Sequence, residues 1–288
     1  MKPKIVFVIC LLLTACVSAQ PIIAPEPTRQ TIIIENEIPT VYIMLHERLG
    51  IPLDELLAMP DDDITQLIEQ KATDFLLARH NPTVGLLNES PETAPDRYWL
   101  LTDNRLAAWA LAATGHAAEA ATLHRTIDTF APNAEHGLIE SIVGAAVRWP
   151  PRTPVQNEIA PVIWLETRSG NEMFDWSDYA DLTLYAAINA ANQGQNKTAR
   201  DHYDHALSMF DGLGFQDKAF DGRYTTYKLA LALLVARRLN ITPSSALVSQ
   251  LLAQQSADGG FVAHYTADGK VGDANTETTA LTLLAISR

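Results

Sequence analysis

Leu229-Ala230-Leu231-Ala232-Leu233-Leu234-Val235-Ala236 runs for about two helical turns without a polar side chain. A helix with no polar face has to be covered on every side, so this stretch predicts a helix enclosed by other elements. Residues 106–113, 182–191 and 280–286 share its alanine- and leucine-rich character. Between them lie segments of a second kind. In 196–211, Ala199, Tyr203, Leu207 and Phe210 recur at helical spacing, while Lys197, Arg200, Asp204 and Ser208 fill the other side. Segments 64–78, 117–130 and 244–255 read the same way. The alternation predicts inner helices wrapped by outer ones.

The connections repeat as well. Loops carry glycine and then leucine or an aromatic, as in Gly85-Leu86-Leu87, Gly212-Leu213-Gly214-Phe215 and Gly259-Gly260-Phe261. Each leads to a polar, aromatic helix start, which reads as a degenerate repeat of helical hairpins. Gln254-Gln255-Ser256-Ala257-Asp258-Gly259-Gly260-Phe261, followed by Asn275-Thr276-Glu277-Thr278-Thr279-Ala280-Leu281, resembles the repeat shared by terpene cyclases, protein prenyltransferases and thioester domains. That resemblance implies an all-α fold, an α/α toroid of about five to six hairpins whose ring closure is left open. It does not carry over an activity. Prenyltransferases need a zinc-binding cysteine, and the cysteines here are Cys10 and Cys16. Triterpene cyclases protonate from an acidic motif on the cavity. The aspartate run Asp61-Asp62-Asp63 instead follows Pro60 at the start of an amphipathic helix, where it reads as a cap and dipole partner.

The N-terminus reads as an address. Lys2 and Lys4 precede an apolar run from Ile5 to Leu13, too short to span a bilayer and suited to a signal peptide. Leu13-Thr14-Ala15-Cys16 resembles the bacterial lipobox, which implies cleavage after residue 15 and lipidation of Cys16. Cleavage after Val17-Ser18-Ala19 is the competing reading. Val17 after the cysteine resembles outer-membrane sorting. The expected organisation is a signal peptide over 1–15, a proline-bearing lipidated tether over 16–38, and a single domain over 39–288. At 47% hydrophobic residues the chain is rich enough for one sizeable core.

Neither cleavage site leaves a cysteine for a disulfide, a thiolate metal site or a nucleophile in the folded domain. A net charge of −13, which becomes more acidic without Lys2 and Lys4, argues against nucleic acid. There is no P-loop, dinucleotide fingerprint, nucleophile elbow or HExxH pair, so no nucleotide, metal or other cofactor is implied. His202 and His205 sit one turn apart on an outer helix and read as surface residues. The oxygen-rich run from Asp268 to Glu277 does not follow a calcium-loop register.

A toroid would gather its inner helix starts at one end. Asp103, Asp178, Asp221 and Asn275 individually read as helix caps. Brought together, they and their neighbours would form one aromatic and acidic mouth. The expected ligand-binding residues are Tyr98, Trp99, Asp103, Trp176, Tyr179, Tyr224 and Tyr227, with Asp178, Asp181, Asp221 and Glu277 as catalytic candidates; Asp175 belongs to the same mouth, and His136 reads as the polar start of a further helix leading toward it. Aromatic faces beside carboxylates suit sugars. The expected function is therefore a membrane-tethered envelope lipoprotein presenting this cleft to a glycan or peptide. Alternatives are a carbohydrate-active hydrolase or lyase using paired carboxylates, and a helical scaffold for envelope assembly.

Overall fold

The computed structural model describes His46 and residues 51–287, all within the unit Ile38–Arg288. Cys16, the expected signal peptide and the expected tether lie outside the described residues. The helices are α1 (Leu53–Ala58), α2 (Asp61–Ala78), α3 (Arg105–Ala113), α4 (Ala117–Phe130), α5 (Ala180–Asn192), α6 (Asn196–Leu207), α7 (Thr226–Arg238), α8 (Ser245–Leu252) and α9 (Thr276–Ile286). Among the described residues no helix is long and apolar enough to cross a membrane.

The apolar stretch of α7 is enclosed as its composition requires, with every residue from Lys228 to Ala236 buried. Buried helices neighbour one another in the order α3, α9, α7, α5. Each is backed by a second helix: α4 lies on α3, α2 on α9, α8 on α7, and α6 on α5. Ala187, Ala232 and Leu283 are fully buried, while Lys197, Arg200 and Asp204 on α6 face solvent. Burying a leucine such as Leu283 contributes roughly 1.5–3 kcal/mol, and α9 buries nearly its whole surface.

The expectation of an all-α toroid is overturned. The chain is mixed α/β, 49% helix and 16% strand over the described residues, with three small sheets. Strands β1 (His80–Asn81) and β2 (Leu86–Leu87) pair with each other. Strands β3 (Tyr98–Trp99), β4 (Val155–Ala160) and β5 (Ile163–Thr167) form a sheet in the order β3-β5-β4. Strands β6 (Tyr224–Thr225), β7 (Phe261–Thr266) and β8 (Gly269–Asn275) form the third, in the order β6-β7-β8. The physical reason is that the connections must satisfy their own backbone N–H and C=O groups, and they do so by pairing with each other. The β4–β5 hairpin turns at Pro161-Val162, where Val162 takes φ +64°. These strands also aim the helices: β6 runs straight into α7, and β8 into α9.

At the other end three buried helices stop alike. Gly115, Gly194 and Asn240 follow α3, α5 and α7 with positive φ. The next N–H returns to the last turn in each case: His116 to Leu111, Gln195 to Ala190, and Ile241 to Ala236. The left-handed residue is what turns the chain into the following outer helix.

Candidate active site

Between β3 and α3 the chain makes a π-helical turn, Leu100–Asn104, which buries Leu100 and Leu101 in a satellite core with Leu86, Ile127 and Ile163. Asn104 holds the turn in place. Its Oδ1 accepts from Leu87 N at 2.7 Å, and its Nδ2 donates to Leu87 O at 3.0 Å and Trp99 O at 2.8 Å. The turn packs against α9 on one side and β5 on the other, which sets Asp103 between the carboxylates those elements carry. Asp103 is only 3% exposed. Thr102 Oγ1 donates to its Oδ1 at 3.1 Å, while Oδ2 is buried without a hydrogen-bond partner.

Glu277 stands in the first turn of α9, whose start is fixed twice. Asn275 Oδ1 accepts from Thr278 N at 2.8 Å. Thr276 donates from N to Glu89 O at 2.9 Å and from Oγ1 to Asn88 O at 2.6 Å, which ties the Glu89 loop to the same helix start. Asp181, in the first turn of α5, accepts from Tyr227 Oη of α7 at 2.9 Å. From β5, Glu166 accepts from Gln156 Nε2 at 2.6 Å and lies 3.2 Å from His136 Nε2. Since a carboxylate only accepts, that ring nitrogen is the donor.

These charges act on one another. Burial, and then the charges of Glu277 and Glu89, push the Asp103 carboxyl well above the ordinary range. Burial, and then Glu166 and Glu89, lift Glu277 to about 7, with Arg168 opposing them. Burial alone would raise Glu166, but hydrogen bonds from His136 and Gln156 outweigh it and hold that carboxyl below its usual value. Tyr227 is raised by burial and by the charge of Asp181. The result is a cluster in which the Asp103 and Glu277 carboxyls are raised and the Glu166 carboxyl is lowered, with Glu277, Glu166, Asp181 and Tyr227 each only partly buried.

Of the residues expected from sequence, Asp103, Asp181, Tyr227 and Glu277 come together here. Trp99 joins the edge, its Nε1 donating to Glu89 at 3.1 Å and its ring 5.5 Å from Trp164. The others are engaged elsewhere. Asp175 and Asp178 hold Lys218, which also lies over the Tyr179 ring. Trp176 packs on Trp149 and His202. Asp221 pairs with Arg223, whose hydrogen bonds bring its carboxyl down to about 2. Tyr224 donates to Asp211 and stacks on Tyr265, and Tyr98 accepts from Asn81. Of the four aspartate and asparagine caps read from sequence, only Asn275 caps its helix; α5 instead receives Asp217, which accepts from Ala180 N at 2.7 Å.

Glu89, Glu166 and Arg168 are site residues that helical spacing does not disclose. The β-branched and aromatic run Val162-Ile163-Trp164 directly after Pro161 is the signal that marks Glu166 as a strand residue; Glu89 sits on a loop with no such signal. Among the described residues no group of three or more His, Cys, Asp or Glu side chains is placed to hold a metal ion. Comparison with protein-family models, curated proteins and solved structures finds no match to this chain. The likeness of 254–261 and 275–285 to the cyclase and prenyltransferase repeat therefore remains one of motif.

Proposed function

We propose that this chain is a lipid-anchored protein of the bacterial envelope, held at the outer membrane through Cys16, whose acidic cleft hydrolyses an envelope glycan. The observation that carries the reading is Asp103, buried with Oδ2 unpartnered among Glu277, Glu89 and Glu166. Leaving such a group unsatisfied costs about 1–3 kcal/mol. Burying a carboxyl this way serves no packing purpose, whereas a bound hydroxyl would relieve it.

Around Asp103 the other carboxyls divide the work that glycoside hydrolysis needs. Glu277 gives its proton to the glycosidic oxygen as the C–O bond breaks, and Glu166 takes a proton from the water whose oxygen bonds to the anomeric carbon. Trp99 and Trp164 offer apolar faces to sugar rings beside Glu89. A scaffold has no use for carboxyls tuned apart in this way.

The test is release of reducing ends from peptidoglycan and from neutral and acidic polysaccharides. Glu277→Gln is expected to lower kcat by about 10²–10⁴-fold with a melting temperature no lower than that of wild type. Glycan binding without release by the wild-type protein would return the cleft to ligand presentation, and neither binding nor release would end the proposal.

A further inference from the structure

Building on the glycan-cleaving reading, we infer that the substrate is an acidic sugar polymer whose carboxylate docks in an arginine-lined hollow beside Glu166 and Glu277. The hollow has a volume of about 210 Å³, and Arg148, Arg152, Arg168 and Glu140 are among its lining residues. A whole ligand site usually spans roughly 300–1,000 Å³, so this is a subsite for one group. Three arginines meeting at one hollow stand out in a chain with 34 acidic against 21 basic residues.

Two acidic side chains line the hollow, Glu135 and Glu140, against three arginines, and Glu140 is already committed. Glu140 accepts from the backbone N–H of His136 at 2.7 Å and of Gly137 at 2.9 Å, and lies 3.8 Å from Arg105. Arg148 is paired with Glu172. Arg152 and Arg168 are not matched in this way. Arg152 reaches only the Ser169 carbonyl at 3.4 Å, and the Nε of both arginines is buried without a hydrogen-bond partner. A guanidinium edge of this kind takes a carboxylate through two parallel hydrogen bonds.

Arg168 also joins the hollow to the chemistry, since it follows Glu166 by two residues and its charge acts on both Glu166 and Glu277. With those carboxyls so near, a singly charged carboxylate fits better than a doubly charged phosphate, which they would repel more strongly. Gly137, with φ +98°, keeps the opposite wall low; a Cβ there would stand 3.2 Å from Arg168 Cβ.

The experiment is calorimetric titration of the full lipoprotein in detergent with a galacturonate oligomer and with a neutral glucose oligomer of equal length. The acidic oligomer is expected to bind at least about tenfold tighter, with Arg152→Gln and Arg168→Gln each removing that preference and Arg152→Gln leaving the neutral oligomer unaffected. Equal binding, or tighter binding of the neutral oligomer, would overturn the acidic-sugar inference while glycan cleavage stands. If neither oligomer binds, the glycan reading falls, and the arginine Nε–H resonances titrated with free glucuronate decide the hollow separately. Shifts lost in Arg152→Gln and Arg168→Gln would support the anion subsite, and no shift would overturn it.

Discussion

Glu277 ties stability to pH with the opposite sign from a salt-bridged carboxylate. Its folded value of about 7 lies above the ordinary 4.5, so the native state holds the proton more tightly and stability falls as pH rises between those values. Glu277→Gln should therefore melt higher than wild type at pH 8 and close to it at pH 4, by about 2–4 °C for each kcal/mol released. Identical melting curves at both pH values would show that the carboxyl is not desolvated. Glu166 runs the other way. Held below its usual value, it adds stability above pH 4.5 that is lost as pH falls further. Together the two predict a bell-shaped rate profile, with turnover lost on the alkaline side as Glu277 gives up its proton and on the acid side as Glu166 gains one. A separate pair is purely structural: Lys228 Nζ donates to Asp217 Oδ2 at 2.7 Å with both side chains buried. Asp217→Ala leaves that ammonium unpaired and also removes the bond to Ala180 N, so a loss of about 3–5 kcal/mol is expected in denaturant titration. A loss under about 1 kcal/mol would mean that water reaches Lys228.

Among the elements, α9 couples fold and site most directly, because the cap at Asn275 sets the turn that carries Glu277. Asn275→Ala should cost about 1 kcal/mol of stability and shift the alkaline limb of the rate profile. A stability loss with the limb unmoved would separate the cap from the site. The corner before β7 tolerates less. Gly259 has φ +94°, and a Cβ there would stand 2.2 Å from the Lys71 backbone oxygen of α2. Gly259→Ala is thus expected to destabilise more than Asn275→Ala, since backbone cannot swing aside as a side chain can. The strands explain why helical spacing located the helices and not the whole site. Glu277, Asp181 and Tyr227 lie within the first turns of apolar helices and can be picked out by position. Glu166 reaches the same cluster from a hairpin that the helical periodicity on either side obscures.

For the molecule as a whole, Arg238 at the end of α7 binds Ser141 O at 3.1 Å, Ile142 O at 2.7 Å and the Asn192 side chain, joining α7 to the turn Ile139–Val143 and to α5. The proposed anchor is tested independently of the fold: Cys16→Ser should abolish acyl labelling and move the protein out of the membrane fraction. Membrane retention with an unlabelled N-terminus at Gln20 would refute it. Which segments are helices, and which helices are enclosed, followed from the sequence alone, because a 3.6-residue apolar period and the lack of any polar face are local properties. So did the candidacy of Asp103, Asp181, Tyr227 and Glu277. Only the tertiary structure decided that connections pair into sheets, that Asp178, Asp221, Trp176 and Tyr224 turn to other partners, and that the Asp103 and Glu277 carboxyls are raised. Strand pairing joins residues distant in the chain, and a carboxyl's affinity for its proton depends on the burial and neighbouring charge that folding creates.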